Sequence, residues 1–156
     1  MVSLTEAKNT KKQGQMQYVV FNIGQEEYGI EIDYTREIIK SAQITNVPNA
    51  EKHVLGVINL RGIIVPVIDL HKRFEIKTDE SLFDESESRI ITVEVNDVLL
   101  GLQVDRIEGI VWLDLDKITP APDVEGGLKQ DYLTGVCARS EEQLLILLDL
   151  EKTIFA

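Results

Sequence analysis

Tyr28-Gly29-Ile30-Glu31-Ile32-Asp33 returns 72 residues later as Leu100-Gly101-Leu102-Gln103-Val104-Asp105. In both copies apolar side chains recur at every second position, the period of a strand with one face turned to an apolar core. Each copy also comes second in a hairpin. Val19, Phe21 and Ile23 alternate with Val20 and Asn22 ahead of the break Gly24-Gln25-Glu26, and residues 89–95 lead into the turn pair Asn96-Asp97. The echo extends outward. Gly56-Val57 corresponds to Gly135-Val136 at an offset of 79, and Ile68-Asp69-Leu70 to Leu148-Asp149-Leu150 at an offset of 80. An offset that grows along the chain is what loop insertions do to a duplicated unit.

The repeat implies an all-β fold of two similar subdomains, with sequence halves roughly 16–78 and 89–156 and terminal elements open to exchange between them. A small sheet leaves exposed edges unless it closes on itself, so the expected architecture is a pair of SH3-like five-stranded β-barrels with short helical turns. The barrels would pack through apolar faces and leave a groove between them. Val57 to Leu60, the two-residue break Arg61-Gly62 and Ile63 to Ile68 read as a further hairpin, in which Pro66 predicts an edge or a bulge because its nitrogen cannot donate. Asp33 is the expected N-cap of a short helical turn through Tyr34 to Lys40, and Asp149 can cap a terminal one. Tyr132 to Ala138 and Gln143 to Leu148 complete the strands, after a loop holding Pro120, Pro122, Gly126 and Gly127. Residues 1–15 lack periodicity and are expected as a flexible N-terminal tail, and the acidic stretch 75–88 as a solvated loop.

Charge and composition narrow the function. A net charge of −11 on 156 residues disfavours nucleic acid and anionic lipid. The apolar runs are broken well before the length of a membrane span, and the first residues lack the apolar centre of a signal peptide, so a cytoplasmic protein without direct membrane insertion is expected. Neither a phosphate-cradling loop nor a dinucleotide fingerprint occurs, and no cofactor is expected. His53 and His71 lie 18 apart without metal-ligand spacing and read as solvated surface histidines. Cys137, in an apolar context, reads as a packing residue, and Asp114 with Asp116 as ordinary turn carboxylates. No arrangement of nucleophile, base and oxyanion site stands out, so the expectation is a protein without catalysis.

The segment from Gly56 to Leu70 resembles the central signature of the CheW family. Phe21 with Glu27-Tyr28-Gly29-Ile30, Pro120-Ala121-Pro122 and Tyr132-Leu133-Thr134-Gly135 extend the likeness from about Gln17 to Ile154. The resemblance implies a non-catalytic adaptor that docks on the regulatory domain of the histidine kinase CheA and on the cytoplasmic tip of chemoreceptors, recruited to receptor arrays at the inner face of the membrane. The CheV variant of the family is expected to fit less well, since the sequence given carries no receiver domain after Ala156. An adaptor of another chemosensory pathway, such as surface motility, is the second reading. A small β-barrel enzyme or oligonucleotide-binding module is a remote third, disfavoured by an aromatic content of 6%.

By the resemblance, Ile32, Thr35, Glu37, Gly56, Arg61 and Ile64 lie in or beside the kinase and receptor contacts, and Val104 joins Ile32 and Ile64 along the expected groove. Each has a plainer explanation as core, backbone geometry or solvated charge. Thr35 stands where relatives often carry an apolar residue. Arg61 is expected to pair with Glu37 beside the partner surface. Thr119, Asp123 and Val124 match positions by which family members join kinase domains into rings. Relatives can carry a larger basic residue at the first of these and an aromatic at the last, so the resemblance implies a weaker ring contact or compensation elsewhere.

Overall fold

Both copies of the repeat form strands that close hairpins, as their alternation predicts. The computed structural model describes residues 2–4, 14–40, 42–76, 84–120 and 132–155. Its strands are β1 (Val2–Ser3), β2 (Gln15–Ile23), β3 (Glu26–Glu31), β4 (Thr35–Ile39), β5 (Val54–Leu60), β6 (Ile63–Asp69), β7 (Arg89–Val95), β8 (Val98–Val104), β9 (Arg106–Asp114), β10 (Ile118–Thr119), β11 (Leu133–Ala138) and β12 (Leu144–Leu148). Helix α1 (Leu70–Arg73) follows β6 and α2 (Leu150–Phe155) follows β12. Asp69 caps α1 by accepting the His71 amide at 2.9 Å, and its repeat mate Asp149 accepts the Lys152 amide at 3.1 Å.

Neither sheet is made from one sequence half. The strand orders are β1-β4-β7-β8-β6-β5 and β10-β11-β12-β3-β2-β9, so the hairpin β2–β3 sits in the sheet of the second half and β7–β8 in that of the first. The two exchanges match in register. Gly29 of β3 lies opposite Leu147 of β12 in a parallel ladder, and Gly101 of β8 lies opposite Val67 of β6. These are the same positions under the repeat offsets, so the fold has an internal pseudo-twofold. Each sheet holds five principal strands and one two-residue strand, and the chain forms two SH3-like subdomains.

Burial explains the exchange. Ile39, Ile58, Leu60, Val65, Val67 and Ile90 fill the first barrel, and Tyr18, Val20, Leu113, Cys137, Leu145 and Leu147 fill the second. A third and larger core, including Val19, Phe21, Ile23, Ile30, Ile91, Val93, Leu102 and Val104, lies between the barrels. Strands β2, β3, β7 and β8 thus contribute one face to a barrel interior and the other to the junction, which stabilises by about 25 cal/mol per Å² of apolar surface removed from water. An aromatic row runs along the junction, with ring centroids 6.2 Å apart for Phe21 and Tyr28, 5.8 Å for Tyr28 and Phe74, and 5.5 Å for Phe74 and Tyr132.

Four local expectations are corrected. Residues 35–39 form β4 rather than a helical turn: the turn is a short 3-10 element, Ile32–Tyr34, which Glu31 precedes, and Glu37, Ile38 and Ile39 pair with Thr92, Ile91 and Ile90. Cross-strand pairing outweighs a local cap here, helped by two β-branched isoleucines. Pro66 lies in an interior strand rather than at an edge, one pair from the bulge between Val54 and Gly56; its partner Val57 exchanges both backbone bonds with Thr45 instead, at 2.8 and 2.9 Å, so β5 asks no donor of Pro66. The parallel register with β8 begins only at Val67.

The other two concern the N-terminus and the histidines. Within the expected tail of residues 1–15, Val2 and Ser3 pair with β4, Leu4 is buried and Gln15 opens β2, whereas residues 5–13 lie outside the described residues. His53 and His71 are only partly exposed, their side chains at 14% and 17%, rather than freely solvated. The His71 Nε2 stands 2.7 Å from Asp105 Oδ1, and Asp105 Oδ2 accepts the Gly24 amide at 2.8 Å, tying α1 of one barrel to the hairpin turn of the other. Burial lowers the pKa of His53, and Arg73 lowers it further.

Candidate functional site

The β5–β6 turn is a two-residue hairpin with Arg61 at φ 51° and Gly62 at φ 87°, both left-handed as this tight reversal requires. Asn59 Oδ1 accepts the Gly62 amide at 2.8 Å and stiffens the turn. A side chain on such a turn projects beyond the sheet. Arg61 reaches across the barrel mouth to Glu37 on β4, donating Nη1 to Oε2 at 3.2 Å and Nη2 to Oε1 in a forked pair. The sheet curls enough for its first and last principal strands to be joined by side chains. Glu37 raises the Arg61 pKa by hydrogen bonding and by its charge.

The pair is asymmetric. The Arg61 side chain is 62% exposed and that of Glu37 14%, so the carboxylate acts as the seat and the guanidinium as the presented group. Just after the turn, Ile63 is 56% exposed and Ile64 64% exposed. Ile64 lies opposite Asn59 on the outer face of the hairpin, whereas Ile58, Leu60, Val65 and Val67 point into the barrel. Exposed Ile63 at the hairpin tip and exposed Ile64 on the outer face flank a clamped guanidinium, and together they offer apolar and charged surface for a partly apolar partner.

The structure brings Glu37, Arg61 and Ile64 together and sets the other expected residues elsewhere. Ile32 and Val104 belong to the junction core, 3% and 0% exposed. Thr35 is fully buried with its hydroxyl donating to the Ile32 carbonyl at 2.6 Å, so a polar residue at this place is satisfied locally. Gly56 packs its α-carbon against Thr45. Thr119 is exposed on β10, opposite Val136; Asp123 and Val124 lie outside the described residues. Asp114 accepts Gln15 Nε2 at 2.5 Å, which lowers its pKa. Among the described residues no group of three or more His, Cys, Asp or Glu side chains is placed to hold a metal ion.

Sequence reasoning missed Ile63, Leu144 and Ser3. Alternation gives no signal for Ile63, which shares the parity of inward-facing Val65 and Val67 and is exposed only because it stands at the hairpin tip, at the end of the sheet. Leu144, 55% exposed, is the repeat counterpart of Ile64 on the other barrel, and the offset of 80 points to it. Ser3 lies opposite Glu37 across the β1–β4 ladder, and no local pattern announces that pairing.

Comparison with known proteins follows the same outline. The family model of the CheW-like domain matches residues 17–155. The chain is 35% identical over 138 residues to the chemotaxis protein CheW of Klebsiella aerogenes, covering 88% of this chain and 81% of that protein. It is 37% identical over 140 residues to chemotaxis protein CheW of Treponema pallidum, again covering 88% and 81%. The crystal structure of the scaffolding protein TtCheW from Thermoanaerobacter tengcongensis matches with a TM-score of 0.80 at 33% identity, over 90% of this chain and 93% of that one.

Proposed function

The chain belongs to the CheW family, and on that premise we propose that it docks at once on the regulatory domain of the histidine kinase CheA and on the cytoplasmic tip of chemoreceptors. Its role is that of the family, a chemotaxis coupling adaptor. The family is one of non-catalytic scaffolds, and coupling here needs only simultaneous contact. No helix among the described residues is long and apolar enough to cross a membrane. In this reading the chain is recruited to receptor arrays at the inner membrane face by binding the receptors.

One observation carries this reading: the forked Arg61–Glu37 pair beside exposed Ile63 and Ile64, on a hairpin tip stiffened by Asn59. The turn geometry asks nothing of a guanidinium, and an exposed isoleucine pair gains nothing from water. Both gain from a partner that buries the isoleucines and meets the charge. Thr119, exposed on β10, takes part in the ring contact between kinase domains together with Asp123 and Val124, which lie outside the described residues.

Reconstitution with kinase and receptor, reading kinase phosphorylation, tests the proposal. The wild type should place the kinase under receptor control. Arg61→Glu should lose most of that effect, and adding Glu37→Arg should restore part of it by re-forming the pair with its charges exchanged. Unchanged coupling by Arg61→Glu would sink the docking surface. Losses that simply add in the double variant would leave the surface standing and remove the pair from recognition.

A further inference from the structure

Val2-Ser3-Leu4 takes no part in the repeat, yet the segment is built into the first sheet. Strand β1 lies antiparallel along the outer edge of β4, with Val2 opposite Ile38 and Ser3 opposite Glu37. The Leu4 amide donates to the Arg36 carbonyl at 3.0 Å. The Leu4 side chain, 2% exposed, enters the junction core, against which Ile38 also packs.

This pairing decides what holds Glu37. On its inner side the Glu37 amide donates to the Thr92 hydroxyl at 2.9 Å, and that hydroxyl donates to the Glu37 carbonyl at 3.3 Å. Alternate residues of an antiparallel strand turn their backbone groups to opposite neighbours, so Ile38 turns its amide to β1. With β1 seated, β4 is an interior strand. Without it, β4 is the edge of the sheet, and edges open at lower free-energy cost than interiors.

We propose that residues 2–4 are a strap belonging to the docking surface: Leu4 anchors β1, β1 makes β4 an interior strand, and β4 then holds Glu37 where it seats Arg61. Leu4 is a positioning residue that acts on a partner through Glu37 and Arg61. The inference rests on the docking reading above. A guanidinium held in place before binding need not be ordered at the moment of binding, which favours association.

The test uses the full chain, with the partner histidine kinase as probe, in the wild type, Leu4→Asp, Leu4→Met and Arg61→Glu. Leu4→Asp should expel the strap, whereas Leu4→Met nearly conserves volume and should keep it. In Leu4→Asp the Ile38 amide should exchange with solvent at least about tenfold faster while Ile91 on β7 stays protected. Affinity for the kinase should fall about fivefold or more. Leu4→Met should match the wild type in both. Because a carboxylate in the junction core can disturb the whole fold, a chain lacking residues 2–4 is measured beside it, with the same two changes expected. Lost binding in Arg61→Glu with wild-type binding in Leu4→Asp and in the deletion overturns the strap and leaves the docking surface standing. Wild-type binding in all of them overturns both. Unchanged exchange at Ile38, or tighter binding once the strap is released, also overturns it.

Discussion

Replacing Gly56 by alanine distinguishes a glycine needed for backbone approach from one needed for partner contact. Gly56 has φ 153°, and a Cβ there would stand 2.2 Å from the Thr45 carbonyl oxygen, 2.8 Å from its carbon and 2.9 Å from Ile44 Cγ2. The nearest atoms are main chain, so no side-chain rotation relieves the clash. Thr45 is tied to Val57 by reciprocal backbone bonds of 2.8 and 2.9 Å and cannot retreat without breaking them. Holding alanine in a strained conformation costs about 1–3 kcal/mol, and giving up two backbone bonds about 0.5–1.5 kcal/mol each, so the variant should lose about 2–6 kcal/mol. At about 2–4 °C per kcal/mol for a chain of this size, the midpoint should fall by about 5–20 °C. Gly62→Ala is the control. Gly62 also has positive φ, at 87°, but nothing lies within 4 Å of its added Cβ, so only the backbone cost of about 1–2 kcal/mol applies. Calorimetric melts at neutral pH, with urea titrations for the free energy, measure both. A Gly56→Ala protein melting within about 2 °C of wild type, or a Gly62→Ala protein losing as much, would refute the reasoning. An unchanged midpoint with lost kinase binding would instead make Gly56 a contact residue.

Ile64→Asp, at a position 64% exposed, should leave the midpoint within about 2 °C of wild type and weaken partner binding about tenfold or more; a folded variant that binds normally would remove Ile64 from the surface. Val104→Ala, at a position 0% exposed, should cost about 1–3 kcal/mol in urea and leave the binding of the folded fraction unchanged, so a binding defect without a stability loss would contradict its place in the core. Tyr18 and Tyr28 have pKa values pushed up to about 12, chiefly by burial, with Glu31 beside the first and Glu26 beside the second. Unfolded tyrosine loses its proton near pH 10, so the folded chain holds more protons between about pH 10 and 12. Their contribution to stability is complete below about pH 10 and drains as pH rises through about 12. Phenolate absorbance should show these two tyrosines titrating late, and an ordinary titration of all four would count against their burial. Burial, then Asp33 and Asp149, raises the Glu31 pKa, so its carboxyl favours folding below the unfolded value and loses that contribution as pH rises through the folded one. Glu31→Gln should therefore raise the midpoint by about 1–3 °C at pH 7 and not at pH 3; no gain at neutrality would refute this.

The sequence by itself determined the strands of the repeat, the turns at Arg61-Gly62 and Asn96-Asp97, the helix after Asp149, and the burial of Cys137, because alternation, turn chemistry and capping are local properties. It also placed Arg61 at an exposed turn and paired it with Glu37 through a family likeness, while assigning Glu37 to a helix. Only the tertiary structure decided which sheet each hairpin joins. Val19 and Val20 are both fully buried, one in the junction and one in a barrel, and apolar periodicity cannot say which face meets which core. It likewise decided that Ile32 and Val104 lie inside while Ile64 lies outside, though all three are aliphatic residues in or beside strands. Residues 35–39 became a strand, and Val2–Ser3 joined its edge, because backbone groups on distant segments found partners there. Those pairings join residues far apart in the chain, and their free energy exists only once the sheet has assembled.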